Sequence, residues 1–106
     1  MKITLQSKRK HIYAEAEYRN GKVVVKQKSK IAENYSTNYK YSKKVEQYRL
    51  SKEYVVDAVV QKDIEFESLS TAAQFVCGCS TNGKRAWKLE NGMSVGQFDK
   101  VAEEDD

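Results

Sequence analysis

The segment Phe66–Lys88, with the sequence FESLSTAAQFVCGCSTNGKRAWK, carries most of the information about the fold. Either Ser68 or Ser70 is placed to cap a helix, because a serine hydroxyl accepts hydrogen bonds from the free N–H groups of a first helical turn. Gly78 marks the end of that helix, since glycine easily adopts the left-handed conformation found there. The apolar residues in between recur at helical spacing: Leu69, Ala72, Ala73 and Val76. The segment therefore predicts a short helix whose two alanines allow close packing on a sheet.

The residues on both sides of this helix predict β-strands. Ile64–Glu67 alternates apolar and acidic side chains, which is typical of a strand with one buried face. Asn82-Gly83 predicts a tight turn into a second strand over Arg85–Leu89. We expect Trp87 to lie in the core rather than to act as a stacking platform, because aromatic residues dominate the cores of small domains. This part of the chain thus predicts a strand–helix–strand unit.

The first thirty residues predict a three-stranded antiparallel meander. Met1–Gln6 and His11–Arg19 alternate in side-chain character with a period of two, as a half-buried strand requires. Asn20-Gly21 is a strong hairpin signal, because both central residues of the tight turn need positive φ angles. Lys22–Lys28 contains three consecutive valines and is expected to return as the third strand.

The middle of the chain predicts a loop followed by a helix. Residues 31–38 are polar and show no periodicity, which is typical of a loop. A helix is expected to begin near Tyr39 or Tyr41 and to end near Glu53. Its apolar face is formed by Tyr41, Val45 and Tyr48. Residues 54–60, YVVDAVV, fit either an extension of this helix or a strand rich in β-branched residues. Of these two, we favour a helix that ends within the run.

The C-terminal residues predict one more turn and one more helix. Asn91-Gly92 is a second turn signal, and Ser94 is placed to cap a helix that follows it. The predicted fold class is α+β, with an N-terminal antiparallel β-meander, a central helix and a C-terminal strand–helix–strand unit. We expect a single small domain over residues 1–102 and an acidic, frayed tail over residues 103–106.

Composition bounds the class of protein. The chain has 106 residues, of which 40% are hydrophobic and 32% are charged, as expected for one folded domain. No apolar run approaches the roughly 20 residues that span a bilayer, so no membrane partner is expected. The N-terminus lacks the apolar region of a signal peptide. We therefore expect a cytoplasmic location, where Cys77 and Cys79 stay reduced.

The formal net charge of +4 conceals a marked asymmetry along the chain. Residues 1–53 contain fourteen lysine and arginine residues against five aspartate and glutamate residues, whereas residues 54–106 contain five against ten. A basic half attracts polyanions such as nucleic acid, and the attraction depends on salt. The same composition also fits a solvated basic surface that maintains solubility. One continuous basic face would favour nucleic-acid binding, and scattered basic residues would favour the second interpretation.

The C-terminal half also carries a spaced signature. It comprises Phe66, Ser68, Ser70, Ala72, Ala73, Val76, Gly78, Ser80, Asn82, Gly83, Trp87 and Lys88. With this signature the chain resembles a small bacterial domain of unknown function that occurs alone or at the C-terminus of GIY-YIG-type nucleases and restriction–modification proteins. It is also similar to restriction-enzyme adenine methylase associated domains. The resemblance implies nucleic-acid biology and supplies no catalytic residues. Two positions depart from the family pattern: Lys84 replaces an aromatic residue, and Cys79 stands where arginine is frequent.

Two functions fit these observations. The first is a non-catalytic nucleic-acid-binding accessory module linked to restriction–modification or mobile-element nucleases, with double-stranded DNA and a nuclease or methylase as expected partners. The second is a protein-interaction or oligomerisation module without nucleic-acid binding, in which an edge strand pairs with another chain. The candidate nucleic-acid-binding residues are Ser70, Asn82, Lys84, Arg85, Lys88, Lys26, Lys28, Lys43 and Lys44. Capping and turn chemistry explain the serine and the asparagine equally well.

We expect neither an enzyme nor a metal or cofactor site. The sequence shows no Ser–His–Asp or Cys–His set and no glycine-rich phosphate loop. A zinc site usually needs four ligands in two pairs, but Cys77-Gly78-Cys79 is the only cysteine pair and His11 is remote in sequence. Cys77 is interpreted as a small buried apolar residue at the helix end. The acidic residues that resemble a nuclease cluster are assigned to a solvent face: Asp57, Asp63, Glu65 and Glu67.

Overall fold

The computed structural model of the chain describes residues 1–36 and 43–104. Its elements follow in the order β1 (Lys2–Ser7), β2 (Ile12–Arg19), β3 (Lys22–Val25), α1 (Lys43–Leu50), β4 (Val55–Val56), β5 (Val59–Val60), β6 (Ile64–Phe66), α2 (Leu69–Cys77), α3 (Gly83–Ala86) and α4 (Val95–Glu104). One antiparallel sheet has the spatial order β1-β2-β3-β6, and β4 and β5 form a separate pair. The α+β class predicted from the sequence is confirmed.

The N-terminal meander forms as predicted. Asn20 and Gly21 have φ angles of 54° and 80°, the geometry that lets a two-residue turn join two twisted strands. Ala16 of β2 lies opposite Ile3 of β1 and Val25 of β3, so apolar residues align across the sheet. The third strand is shorter than predicted. The chain leaves the sheet after Val25 and turns at Lys28, whose φ angle is 72°.

The core lies on one face of this sheet, under helix α2. This helix contacts β2, β3 and β6, and the rings of Phe66 and Phe75 pack with their centroids 5.1 Å apart. Burying a large apolar side chain contributes about 1.5–3 kcal/mol. The largest fully buried side chains are Trp87, Phe66, Phe75, Ile3, Ile31, Ile64, Val23, Val25, Val45, Val60, Val76 and Val95. The core therefore combines β-branched and aromatic residues from the sheet, from α1 and α2 and from the C-terminal part of the chain.

Helix α2 begins and ends at the predicted residues. The Ser68 hydroxyl is the cap, and it accepts a hydrogen bond from the Thr71 N–H at 3.1 Å. At the other end, Gly78 has a φ angle of 71°, and its N–H donates to the Gln74 carbonyl at 2.8 Å. The apolar stripe predicted from the sequence is buried. Local capping signals thus account for both boundaries.

The favoured interpretation of residues 54–60 as helix is wrong. Helix α1 ends at Leu50, and strands β4 and β5 form a hairpin through Asp57 and Ala58, whose φ angles are 51° and 62°. The Val60 N–H donates to the Ser29 carbonyl at 2.8 Å, so a distant segment stabilises the extended form. The predicted helix start near residues 39–41 lies outside the described residues.

The predicted strand over Arg85–Leu89 is also wrong in its first part. Residues Gly83–Ala86 form the one-turn helix α3. Only Lys88 pairs with the sheet, exchanging backbone hydrogen bonds of 2.8 and 2.9 Å with Thr4 of β1. Trp87 lies between these two structures and is fully buried, as predicted, with its indole N–H donating to the Leu69 carbonyl at 3.1 Å. The second strand of the C-terminal unit is therefore reduced to the single residue Lys88, which bridges Thr4 and Ser94.

Helix α4 begins with a reciprocal cap. The Gln97 N–H donates to the Ser94 hydroxyl, and the Ser94 N–H donates to the Gln97 side-chain oxygen, each at 3.2 Å. The cap predicted at Ser94 is thus confirmed. The helix extends to Glu104 and includes the first two residues of the predicted acidic tail. Across the described part of the chain, every helix is too short or too polar to cross a membrane.

Candidate nucleic-acid interface

An open cleft of about 520 Å³ lies between α3 and the beginning of α4. We call it the basic cleft. It is lined by Asn82, Lys84, Arg85, Lys88, Ser94, Gly96 and Gln97. Four of the nine predicted binding residues therefore come together on one surface, although two different segments of the chain build it.

The floor of the basic cleft is held by contacts between α3 and the beginning of α2. The Gly83 N–H donates to the Ser70 hydroxyl at 3.2 Å, and the Asn82 side-chain oxygen accepts from the Lys84 N–H at 3.1 Å. Ser70, a predicted binding residue, thus lies behind the cleft and positions α3. Asn82 caps α3 through its oxygen, which leaves its amide group to face solvent.

Gly83 is required by this arrangement. A Cβ atom at this position would lie 2.2 Å from the carbonyl carbon of Leu69 and 2.4 Å from the N atom of Ser70. Real Cβ atoms do not approach backbone atoms so closely, so only glycine allows α3 to pack on α2. The backbone of α3 then holds the side chains of Lys84 and Arg85 on the outer side of the fold.

The first turn of α4 completes the cleft. A Cβ atom at Gly96 would lie 3.2 Å from the Cβ of Lys84, so the two segments are in close contact here. The Val95 N–H donates to the Trp87 carbonyl at 3.1 Å, and the cap occupies the N–H of Gln97. The Gly96 N–H has no acceptor among the described residues. A free amide at the positive end of a ten-residue helix is a favourable contact for an anion.

The three cations of the basic cleft are not neutralised within the described part of the chain. Lys84, Arg85 and Lys88 are exposed, and the ion pairs of the described residues do not include them. No carboxylate lines the cleft in that part of the structure. Unpaired guanidinium and ammonium groups around a free helix amide match the oxygen atoms of a phosphate group.

The other predicted lysines do not line this cleft. Lys26 pairs with Asp63, with 2.7 Å between the ammonium nitrogen and the carboxylate oxygen. That hydrogen bond, together with one from the Gln27 N–H, lowers the pKa of the Asp63 carboxyl. Lys28 lies at the turn after β3, and Lys43 and Lys44 begin α1, all exposed.

The open face of the sheet carries charges of both signs. Lys2 pairs with Glu15 at 3.7 Å and Lys22 pairs with Glu65 at 3.9 Å. Acidic residues of β2 and β6 thus neutralise two of the lysines on this face. Other basic residues that form no ion pair among the described residues lie in separate places: Lys8, Arg9 and Lys10 between β1 and β2, Lys28 after β3, and Lys43 and Lys44 at the start of α1. The basic cleft gathers three further unpaired cations.

The sequence-based prediction missed the contribution of α4 to the site. Ser94 was predicted only as a cap, and Gly96 and Gln97 were not among the candidate residues. The pattern Ser-x-x-Gln is a recognised signal for a reciprocal helix cap, so the ordered first turn was predictable. Its position against Lys84 was not, because that contact depends on the tertiary structure.

Within residues 1–36 and 43–104, no group of three or more histidine, cysteine, aspartate or glutamate side chains is placed to hold a metal ion. Trp87 is fully buried and does not offer a stacking surface. The binding groups that the basic cleft offers are positive charges and hydrogen-bond donors.

A family comparison covers nearly the whole fold. The model of a domain of unknown function, DUF4357, matches residues 4–99. The chain belongs to this family. The DUF4357 match includes most of the sheet, helices α2 and α3, the first half of α4 and every residue of the basic cleft. The resemblance to a family of unknown function seen in the sequence is confirmed at this level. Searches against curated proteins and against solved structures found no match.

Proposed function

We propose that this DUF4357 domain is a non-catalytic nucleic-acid-binding accessory module that binds double-stranded DNA through the basic cleft. The observation that carries the proposal is the convergence of three unpaired cations and one free helix amide on a single cleft. Phosphate contacts supply most of the affinity in such interfaces, because each neutralised phosphate releases counterions.

Each side chain in the cleft has a specific part in this proposal. Arg85 offers a planar pair of donors to one phosphate group, whereas Lys84 and Lys88 act as mobile point charges. The Gly96 N–H fixes the direction of approach, since a backbone amide cannot rotate away. The free amide group of Asn82 at the rim is positioned for contact with a base edge or a sugar.

Several features favour duplex over single-stranded nucleic acid. Single-strand binders place aromatic rings in their grooves so that bases can stack. Here the only tryptophan is buried, and no aromatic side chain of the described residues lines the cleft. Where members of the family that this chain resembles carry an aromatic residue, this chain has Lys84, which is exposed in the cleft. Recognition of the phosphate backbone is therefore the chemistry that the cleft suits best.

The expected partner proteins follow from the resemblance alone. Domains similar to this one accompany GIY-YIG-type nucleases and restriction–modification proteins, so a nuclease or methylase is the proposed partner. In such a system the module would hold the partner on DNA and leave the chemistry to the partner's own active site.

The proposal is tested by fluorescence anisotropy of a labelled DNA duplex at several salt concentrations. The variant Lys84→Ala/Arg85→Ala/Lys88→Ala should bind about tenfold more weakly or worse. The slope of log K against log salt should become shallower by about 0.9 for each phosphate group that the variant no longer neutralises.

The matched control is Lys2→Ala/Lys22→Ala/Lys26→Ala. It removes the same amount of positive charge, but from the ion-paired face of the sheet. It should retain affinity and slope. Equal losses in both variants would mean that overall charge rather than the cleft binds DNA. Absence of binding at low salt would reject the function and leave a protein-interaction module as the better interpretation.

A further inference from the structure

A second cavity, of about 500 Å³, lies away from the basic cleft at the C-terminal end of α2. The loop between β1 and β2 forms one wall and carries Arg9, Lys10 and His11. Residues 32–36 form another wall, and Cys77 and Cys79 line the cavity at the C-terminal end of α2. This cavity gathers two thiols and the basic side chains of Arg9 and Lys10, which the proposed function does not use.

The two thiols of this cavity differ in their surroundings. The Lys10 ammonium nitrogen lies 3.3 Å from the Cys79 sulfur, and the Thr81 hydroxyl oxygen lies 3.7 Å from it. The Thr81 hydroxyl donates to the Cys79 carbonyl at 2.9 Å and contacts the sulfur through its oxygen. Partial burial opposes ionisation of Cys79, but the contacts with Thr81 and Lys10 and the positive charges of Lys10 and Arg49 outweigh it, so the pKa of this thiol is lowered. Burial dominates at Cys77 and raises the pKa of that thiol.

The backbone around Cys79 is firmly held. Gly78 has a left-handed φ angle of 71°, and a Cβ atom there would lie 2.4 Å from the Asn34 carbonyl oxygen. The Ser36 N–H donates to the Gly78 carbonyl at 2.7 Å. The Arg49 guanidinium donates to the carbonyl oxygens of Phe75 and Ala32 at 2.8 and 3.0 Å. The cavity walls are thus tied to each other, and the thiol is presented in a defined position.

We propose that Cys79 is a reactive thiol that forms a mixed disulfide with an anionic low-molecular-weight disulfide bound in this cavity. The Cys79 thiolate attacks one sulfur of the small disulfide, whose S–S bond breaks as the new S–S bond forms. The Cys79 sulfur is oxidised, the departing sulfur is reduced, and it leaves as a thiolate that solvent protonates. Both electrons are exchanged between these two reactants, so the step needs no further oxidant.

The lining of the cavity selects the ligand class. Arg9 and Lys10 outnumber the one carboxylate that lines it among the described residues, Glu33. The ammonium group of Lys10 stabilises the thiolate before attack, and Arg9 is available for a carboxylate of the incoming molecule. A disulfide with several carboxylates, such as oxidised glutathione, fits this wall better than a cationic disulfide such as cystamine.

The test is incubation with oxidised glutathione, followed by intact-mass analysis and peptide mapping. The wild-type protein should gain one adduct, on Cys79. The Cys77→Ser variant should react like the wild type, and the Cys79→Ser variant should not react. Adduct formation on Cys77, or at equal rates on both thiols, would overturn the proposal.

A second measurement distinguishes a Cys79 thiol that Lys10 activates from one that is merely exposed to the reagent. The Lys10→Met variant, shown by circular dichroism to be folded, should react at least about threefold more slowly, because the thiolate loses its cation. Cystamine should react more slowly than oxidised glutathione with the wild type, and this preference should vanish for the chain in urea. An unchanged rate in Lys10→Met, or no preference in the folded protein, would show that Cys79 is only accessible. Neither measurement depends on DNA binding.

Discussion

Gly83 shows how much a single residue contributes to this structure. Its φ angle does not demand glycine, but the space does, since a side chain would collide with the backbone of Leu69 and Ser70. Backbone atoms cannot swing aside as the end of a flexible side chain can. The collision would push α3 outward and move Lys84 and Arg85 with it. Stability and the geometry of the basic cleft therefore depend on the same residue.

Gly83→Ala is expected to lower the free energy of unfolding by about 1–3 kcal/mol, the usual cost of overpacking. The measurement is urea denaturation followed by circular dichroism. Gly92→Ala is the control, because the added methyl group there meets nothing within 4 Å and only the φ angle of 86° opposes it. A smaller loss for Gly83→Ala than for Gly92→Ala would show that α3 adapts to the methyl group.

Lys10 and Cys79 form a contact that the sequence does not reveal. Neither residue was a candidate for binding in the sequence, and 69 positions separate them. Cys77, interpreted from the sequence as a small apolar residue at the helix end, is in fact only half-buried. The two thiols look equivalent in the sequence, yet opposite pKa shifts distinguish them in the structure. The difference arises from burial, which dominates at Cys77, and from the loop between β1 and β2, whose Lys10 ammonium group contacts the Cys79 sulfur.

Among the elements, the β4–β5 hairpin is the most informative. Its two central residues, Asp57 and Ala58, both have positive φ angles, although neither is glycine or asparagine. The left-handed conformation costs a residue with a side chain roughly 1–2 kcal/mol. The turn is thus formed against local preference, and pairing of Val59 and Val60 with residues 29 and 30 compensates for it.

Ala58→Gly is therefore expected to stabilise the protein by up to about 1 kcal/mol. The backbone strain that glycine relieves in the turn exceeds the free-energy cost of the entropy that it adds to the unfolded chain. Thermal denaturation of the variant measures this change. Ala58→Val should act in the opposite direction, since a β-branched residue tolerates positive φ angles less well. A lower melting temperature for Ala58→Gly would contradict the assignment of this turn.

At the scale of the whole molecule, Trp87 connects the separate parts. Its indole N–H binds the Leu69 carbonyl in α2, and its own carbonyl accepts from Val95 in α4. The next residue, Lys88, pairs with β1. The sheet and helices α2 and α4 thus meet around one fully buried side chain. Such an arrangement favours unfolding in one cooperative step.

The expected result is that tryptophan fluorescence and far-ultraviolet circular dichroism give the same urea midpoint. Fluorescence reports the surroundings of Trp87 alone, because the chain has no other tryptophan, whereas circular dichroism reports all helices and strands. A fluorescence transition at clearly lower urea would indicate that the C-terminal part, with the basic cleft, opens before the sheet.

The sequence predicts those structural features of this protein that are determined by residues close together in the chain. The meander, the caps at Ser68 and Ser94, the end of α2 at Gly78 and the burial of Trp87 all follow from local patterns. Turn glycines, capping hydroxyls and apolar periodicity act over a few residues, so they are legible without knowledge of the fold.

The tertiary structure decided what local patterns left ambiguous. Residues 54–60 became a hairpin because the carbonyl of Ser29 offers a partner to Val60. Residues 83–86 became a helix because α2 provides contacts for Gly83. Both candidate sites, the basic cleft and the Cys79 cavity, join segments that are remote in sequence. The sequence specifies the charge and the hydrogen-bonding groups of each residue. Which distant residues come together depends on how the chain packs, and a short stretch of sequence does not determine that.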